Sequence, residues 1–359
     1  MATPRPGIME ISPYVGGEAA VAGMNRVIRL ASNENPLGAS PDAIAAYAAL
    51  KGELHRYPDG AAAELRAAIA GAEGLDAGRI VCGAGSDELI SLLVKAYAGP
   101  GDEVLHSAHG FLMYALAARA AGATPVAAPE ADLTADIEAL LVRTTPRTRL
   151  LFLANPNNPT GSYLSLAALR HLRRRLPDEV LLVVDAAYAE YVTAEDYGAG
   201  AALVEDDDNV VMLRTFSKIH GLAALRLGWS YSSPAVADVL NRVRGPFNVS
   251  QAAQAAGIAA IADRRHPETS RRHNDKWRAW FAGEVAKAGL EACPSAGNFL
   301  LTRFPGGPED ASSAAAALKS RGILVRGMAA YGLADCLRIT IGTEEEMLAT
   351  AAALAEAVA

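Results

Sequence analysis

Residues 210–229 read VVMLRTFSKIHGLAALRLGW: an apolar, β-branched run, a polar break at Thr215–Lys218, then a stretch rich in small residues. The pattern predicts a buried strand, a turn and a small-residue helix. Lys218 stands at the hinge. Only six of the 33 basic residues of the chain are lysines. A lysine amine can lose its proton when desolvated and then attack a carbonyl, whereas a guanidinium stays charged and is a poor nucleophile. A lysine at this strand end in an arginine-rich chain therefore calls for a chemical reason.

The same kind of run recurs along the chain as RIVCG (79–83), DEVLHS (102–107), RLLFLAN (149–155) and EVLLVVDA (179–186), besides NVVMLRT (209–215). Each is bounded by turn residues and separated from the next by a helix-length segment. That alternation predicts an α/β fold with a mainly parallel sheet covered on both faces by helices. Ser40-Pro41 has the form of a helix start, an N-cap hydroxyl followed by proline, and another helical stretch runs from RYPDG (56–60) to about Glu73. Beyond GPFNVS (245–250) the pattern turns helical to about residue 291, and GNFLLTRF, ILVRGM and CLRITIG suggest a smaller α+β unit. At 359 residues about two domains are expected. The divisions are an N-terminal arm (1–35) joining the small domain, a large domain (36–250) and a small C-terminal domain (251–359).

Composition narrows the function. With 51% hydrophobic and 20% charged residues the chain reads as soluble and globular. A net charge of −7 argues against an electrostatic nucleic-acid binder, and Arg173–Arg175 reads as a solvated helix end. Three widely spaced cysteines, Cys82, Cys293 and Cys336, indicate neither a zinc site nor a disulfide framework. No HExxH pair supports a catalytic metal. No apolar run reaches the roughly 18 residues of a membrane span and the first residues have no signal-peptide core, so a cytoplasmic protein without membrane partners is expected.

In open α/β sheets ligands bind beyond the carboxyl ends of the strands, and informative residues stand there. After RIVCG, a glycine turn at Gly85 feeds a helix starting near Ser86 and Asp87, a natural phosphate cradle, unless Ser86 is only an N-cap. After RLLFLAN, two Asn-Pro steps force a tight turn that presents Asn158. EVLLVVDA ends in Asp185, with Tyr188 three residues on. A buried acid there needs a cation or a protonated donor, a structural salt bridge being the plainer alternative. NVVMLRT is followed by Thr215, Ser217, Lys218 and then Arg226. Phosphate donors, a buried acid, a phenol, an amide and a lysine on successive strand ends are the groups that hold pyridoxal 5′-phosphate, the acid keeping the pyridine nitrogen protonated.

The motifs SNENPLG, RYPDG, GAGSDELI, NPNNPTG, DAAY, TFSKIHGLAALRLG and RITIG, in this order between residues 32 and 342, resemble those of the pyridoxal-phosphate fold-type I (aspartate aminotransferase-like) aminotransferases, in particular the histidinol-phosphate aminotransferases. The resemblance implies a large domain with a mainly parallel sheet, a smaller α+β domain and a homodimer. It implies that Lys218 bonds the cofactor, Asp185 pairs with the pyridine nitrogen, and Asn158 and Tyr188 contact the 3′-oxygen. Gly85, Ser86, Asp87, Thr215, Ser217 and Arg226 would hold the phosphate, joined by Tyr57 from the other subunit. Arg338 would take the substrate carboxylate, with Arg326 and Tyr14 toward its distal group. In HGFLMY (109–114), Phe111 would stack on the cofactor where many relatives carry tyrosine. His220 could be a packed residue or a proton carrier. The activity implied is transamination between histidinol phosphate and 2-oxoglutarate, giving imidazole acetol phosphate and glutamate. An aromatic amino-acid aminotransferase is the alternative.

Overall fold

The structure is a computed structural model, and it describes all residues except 1, 6, 14, 15, 25 and 359. The five apolar runs supply five strands of a seven-stranded sheet, whose order is 80–83, 228–232, 210–215, 181–185, 148–154, 103–107, 124–128. Gly228–Ser232 is antiparallel to both its neighbours and all other pairs are parallel. The central stretches of the inner strands are apolar because both faces are covered. Leu151, Leu153, Leu182, Val184 and Met212 point to one face, against Leu65, Ile69, Ala253 and Ala256 of the helices Ala63–Glu73 and Gln251–Ala262. Their neighbours Leu150, Phe152, Leu181, Val183 and Leu213 point to the other, against Leu89, Leu93 and Leu240 of Ser86–Tyr97 and Pro234–Val243. Side chains alternate along a strand, so a strand buried on both faces has no polar phase.

A second, four-stranded antiparallel sheet (291–293, 299–303, 333–340, 326–328) packs with the helices Arg265–Lys287, Pro308–Ser320 and Glu344–Val358. Ile28–Arg29 pairs in parallel with Ile323–Leu324, tying the N-terminal segment to this part of the chain. Pro41–Ala49 begins at Ser40, whose hydroxyl accepts from the Ala43 N–H. The helix Gln251–Ala262, grouped by the sequence reading with the C-terminal domain, lies against Pro41–Ala49 and Ala63–Glu73; its alanine and glycine positions permit that close approach. Among the described residues no helix is long and apolar enough to cross a membrane.

Three details differ from the sequence reading. The small-residue stretch after Lys218 forms only a 3-10 turn, Ala223–Leu225, because Arg226 takes a left-handed conformation (φ 50°) that ends it and turns the chain back into Gly228–Ser232. Two strands lie outside the five predicted runs: Gly228–Ser232, which begins inside the stretch expected to be helical, and the edge strand Thr124–Ala128, since TPVAA lacks the dense apolar signal of the inner strands. Arg173 is also no solvated residue. It is 4% exposed, and its guanidinium donates to Asp207 at 2.8 Å and to the Val180 carbonyl at 3.1 Å.

Candidate active site

Strand register lines up the carboxyl ends: Ala154 opposite Asp185, Asp185 opposite Leu213, Thr215 opposite Gly228. Beyond them lies a cavity of about 320 Å³, walled by Ser86, Asp87, Phe111, Asn158, Asp185, Tyr188, Thr215, Ser217, Lys218 and Arg226 from this sheet and by Arg326 and Arg338 from the second. Residues spread over more than 250 positions of sequence thus line one cavity.

Lys218 projects from the turn after Val210–Thr215, donating to the Ser32 carbonyl at 3.1 Å, with its amine 5.7 Å from the Tyr188 ring centre. Desolvation, and secondarily Arg338, pull its pKa down from 10.5 to about 8, so a neutral, nucleophilic amine is accessible near neutral pH. Asp185 is 4% exposed. Its Oδ2 accepts from the Tyr114 hydroxyl at 2.8 Å. Its Oδ1 is buried without a well-formed hydrogen bond, the Ala187 N–H giving the carboxylate only weak support. Burial is the main reason that its pKa is raised from 3.8 to about 6.

At the other end of the cavity the helix Ser86–Tyr97 begins with no side-chain cap, Gly85 rather than Ser86 occupying the N-cap position. Its first N–H groups are therefore left to an anion. Arg226 reaches this point, donating to Ser217 Oγ and Asp87 Oδ2, both at 3.1 Å. Gly85 has φ 86°, and a Cβ there would stand 2.6 Å from Arg226 Nη2, so the close approach of the arginine requires glycine. Thr215 Oγ1 accepts from the Ser217 N–H at 3.1 Å, fixing the turn.

On the opposite wall Arg326 and Arg338 are direct cross-strand partners. Like charges directly opposite each other destabilise a sheet, and their shared cavity gives an anion the place that would offset this. Arg338 is held by Asn158 Oδ1 at 2.5 Å and the Ala31 carbonyl at 2.7 Å. Phe111 lines the cavity and meets Tyr114 edge-on at 5.9 Å.

Two expected residues stand elsewhere. Tyr57 is 82% exposed, stacked on Phe247 with ring centres 4.7 Å apart, outside the cavity. Tyr14 lies outside the described residues. His220 is a packed residue 6% exposed, against Phe216 at 4.9 Å and with Nε2 3.9 Å from Glu190 Oε1; desolvation lowers its pKa to about 4. The sequence reading missed Tyr114 and Asn33, whose Nδ2 donates to Tyr188 Oη at 2.9 Å. Both stand in motifs already singled out, HGFLMY and SNENPLG, but a partner far away in sequence gives no local signal.

The pattern of the aminotransferase class I and II family matches residues 25–354. The chain belongs to the class I and II aminotransferases. It is 58% identical over 354 residues to the histidinol-phosphate aminotransferase of Paramagnetospirillum magneticum (98% of each chain). It is also 58% identical over 353 residues to that of Rhodospirillum centenum (98% of each). These relatives place it among the histidinol-phosphate aminotransferases of the family. The histidinol-phosphate aminotransferase of Sinorhizobium meliloti, solved in complex with pyridoxal-5′-phosphate, superposes with a TM-score of 0.92 at 30% identity, covering 100% of this chain and 98% of that one. A Thermus thermophilus aspartate aminotransferase variant shares the fold alone, at a TM-score of 0.85 and 21% identity, over 99% of this chain and 100% of that one.

Pyridoxal 5′-phosphate is the cofactor of this aminotransferase family, and the residues present fit it. The buried Oδ1 of Asp185 lacks the strong donor that a pyridinium N–H provides. The uncapped helix start and Arg226 suit a phosphate, and Lys218 supplies an amine on the same cavity wall.

Proposed function

We propose that the chain transfers an amino group between histidinol phosphate and 2-oxoglutarate, giving imidazole acetol phosphate and glutamate, as a step of histidine biosynthesis in the cytoplasm. The observation carrying this reading is that the Lys218 amine and the orphaned Asp185 oxygen share one cavity with the facing Arg326 and Arg338. When bound, pyridoxal phosphate supplies an electron sink that stabilises negative charge at the substrate Cα. In this reading Lys218 would hold the cofactor through its amine, and the same amine, with its lowered pKa, would serve as the base and acid that moves a proton between the substrate Cα and the cofactor C4′. Asp185 keeps the pyridine nitrogen protonated, and Asn158 and Tyr188 donate to the 3′-oxygen. Ser86 and Asp87 offer backbone N–H groups to the phosphate together with the side chains of Thr215, Ser217 and Arg226, the turn being made possible by Gly85. Phe111 covers one face of the ring.

The two half-reactions bring substrates with different anionic groups, carboxylates in glutamate and a phosphate in histidinol phosphate. Forked guanidinium donors accept both, which suits Arg338 for the carboxylate of glutamate and Arg326, with Tyr14, for the distal group. A homodimer completes the site. Ile44, Tyr47, Leu54, Tyr57 and Phe247 are exposed apolar side chains, Tyr57 and Phe247 in direct contact, and a second copy covering them would bring Tyr57 to the neighbouring cofactor phosphate. The discriminating experiment compares turnover of histidinol phosphate and phenylalanine, each with 2-oxoglutarate. Histidinol phosphate should be preferred. A tenfold preference for phenylalanine, about 1.4 kcal/mol of transition-state discrimination, would instead make the chain an aromatic amino-acid aminotransferase.

A further inference from the structure

Asn33 sits where three distant parts of the chain meet. Its backbone is left-handed, φ 55°, a conformation asparagine tolerates better than most residues. Its N–H donates to Thr340 Oγ1 at 2.9 Å, and Thr340 Oγ1 lies 3.1 Å from Asn33 Oδ1. Its Nδ2 donates to Tyr188 Oη at 2.9 Å, and its carbonyl accepts from Asn298 at 3.1 Å. Asn33, Thr340 and Tyr188 are 1%, 2% and 4% exposed, so water does not replace these partners.

The bonds around Asn33 form a directed chain. The Thr340 oxygen accepts from the Asn33 backbone N–H. Thr340 gives its single hydroxyl proton to Asn33 Oδ1, the acceptor side of the amide. The NH₂ group consequently faces Tyr188 and can only donate. The phenol oxygen must accept from it, and the phenol proton is left for an acceptor elsewhere, toward the cavity that Tyr188 lines.

We propose that Thr340 and Asn33 are positioning residues that set the polarity of the Tyr188 hydroxyl, holding it as a donor toward the cofactor 3′-oxygen. The proposal rests on the reading of Tyr188 given above. It also makes the donor depend on the seating of the second sheet, because Thr340 ends the strand Leu333–Thr340 whereas Tyr188 follows Leu181–Asp185 of the first.

The test is a pH titration of the visible absorbance of the holoenzyme, which reports protonation at the nitrogen joining Lys218 to the cofactor. A donor to the 3′-oxygen stabilises its anionic form, and loss of that donor raises the midpoint of the titration. Thr340→Val removes the hydroxyl at constant shape and frees the amide to turn. Asn33→Asp replaces the donor by an acceptor that must take the phenol proton. Both variants should raise the midpoint by about one pH unit, Thr340→Ser should restore it, and Thr340→Val should add nothing in a Tyr188→Phe background. The charged and titratable groups around the phenol, Lys218, Arg338, Asp185 and Tyr331, are unaltered in the Thr340 variants, which carry the test, whereas Asn33→Asp also adds a carboxylate beside the phenol. If Tyr188→Phe raises the midpoint while Thr340→Val and Asn33→Asp do not, the relay is wrong. If Tyr188→Phe has no effect either, the underlying role of Tyr188 fails and the relay with it.

Discussion

Tyr114 and Asp185 form a buried donor–acceptor pair: a phenol with no exposed surface gives its proton to Oδ2 at 2.8 Å. The bond fixes the carboxylate plane and commits one oxygen, leaving Oδ1 for the pyridinium N–H of the proposed arrangement. Tyr114→Phe should therefore weaken pyridoxal phosphate binding by roughly ten- to a hundredfold, the range for a hydrogen bond to a charged group. Titrating apoenzyme with cofactor measures this, and an unchanged affinity would reduce Tyr114 to a packing residue.

Asp185 also makes the apoprotein pH-sensitive. Its folded pKa of about 6 lies above the unfolded value of 3.8, so across that window the folded state binds more protons and stability falls as pH rises. The contribution approaches 3 kcal/mol at neutral pH, in order of magnitude. Asp185→Asn should accordingly raise the apoprotein melting temperature at pH 7 and flatten its dependence between pH 4 and 6, while cofactor no longer stabilises it as strongly. Thermal unfolding of both apoproteins across this range decides the point.

For Lys218 the relevant quantity is the neutral amine fraction. With its pKa lowered to about 8, the rate at which apoenzyme captures pyridoxal phosphate should climb about tenfold per pH unit below that value and level off above it. Stopped-flow absorbance gives the profile; a rate still climbing at pH 10 would mean an ordinary lysine. Lys218→Ala should abolish the absorbance band of covalently bound cofactor and lower turnover by at least a hundredfold.

The two facing arginines should separate by substrate. Arg326→Ala is expected to raise KM for histidinol phosphate far more than for glutamate. Arg338 is tied to Asn158 and Ala31, so Arg338→Ala should impair both half-reactions. Equal losses for both substrates in Arg326→Ala would remove its assignment to the distal phosphate.

Tyr57 offers a test of the dimer. Tyr57→Ala and Lys218→Ala should each be impaired alone, yet a mixture that exchanges subunits should regain activity, because the hybrid contains one site with its own Lys218 and the partner copy's intact tyrosine. No recovery after verified subunit exchange would place Tyr57 outside the neighbouring site.

Local pattern was enough to place the five apolar strands, most of the helices between them and the chemical character of the strand ends. The inner strands are buried on both faces, and a run such as LLFLA or LLVVD tolerates no polar phase. Asp185, Lys218 and the Asn-Pro turn stand out because they interrupt such runs where the local pattern demands a turn. The tertiary structure alone decided which of these residues share a wall and which atoms remain unpaired. Arg326 faces Arg338 only through the register of two strands, and Tyr114 reaches Asp185 across 71 positions of sequence. Asn33 meets Thr340 across 307 positions. Periodicity encodes which face a side chain takes, but hydrogen-bond partners brought together by packing leave no periodic trace. Residues 210–229 show both halves: the strand and the lysine are legible in the sequence, whereas the left-handed turn at Arg226 that cuts short the expected helix follows from where the returning strand has to pair.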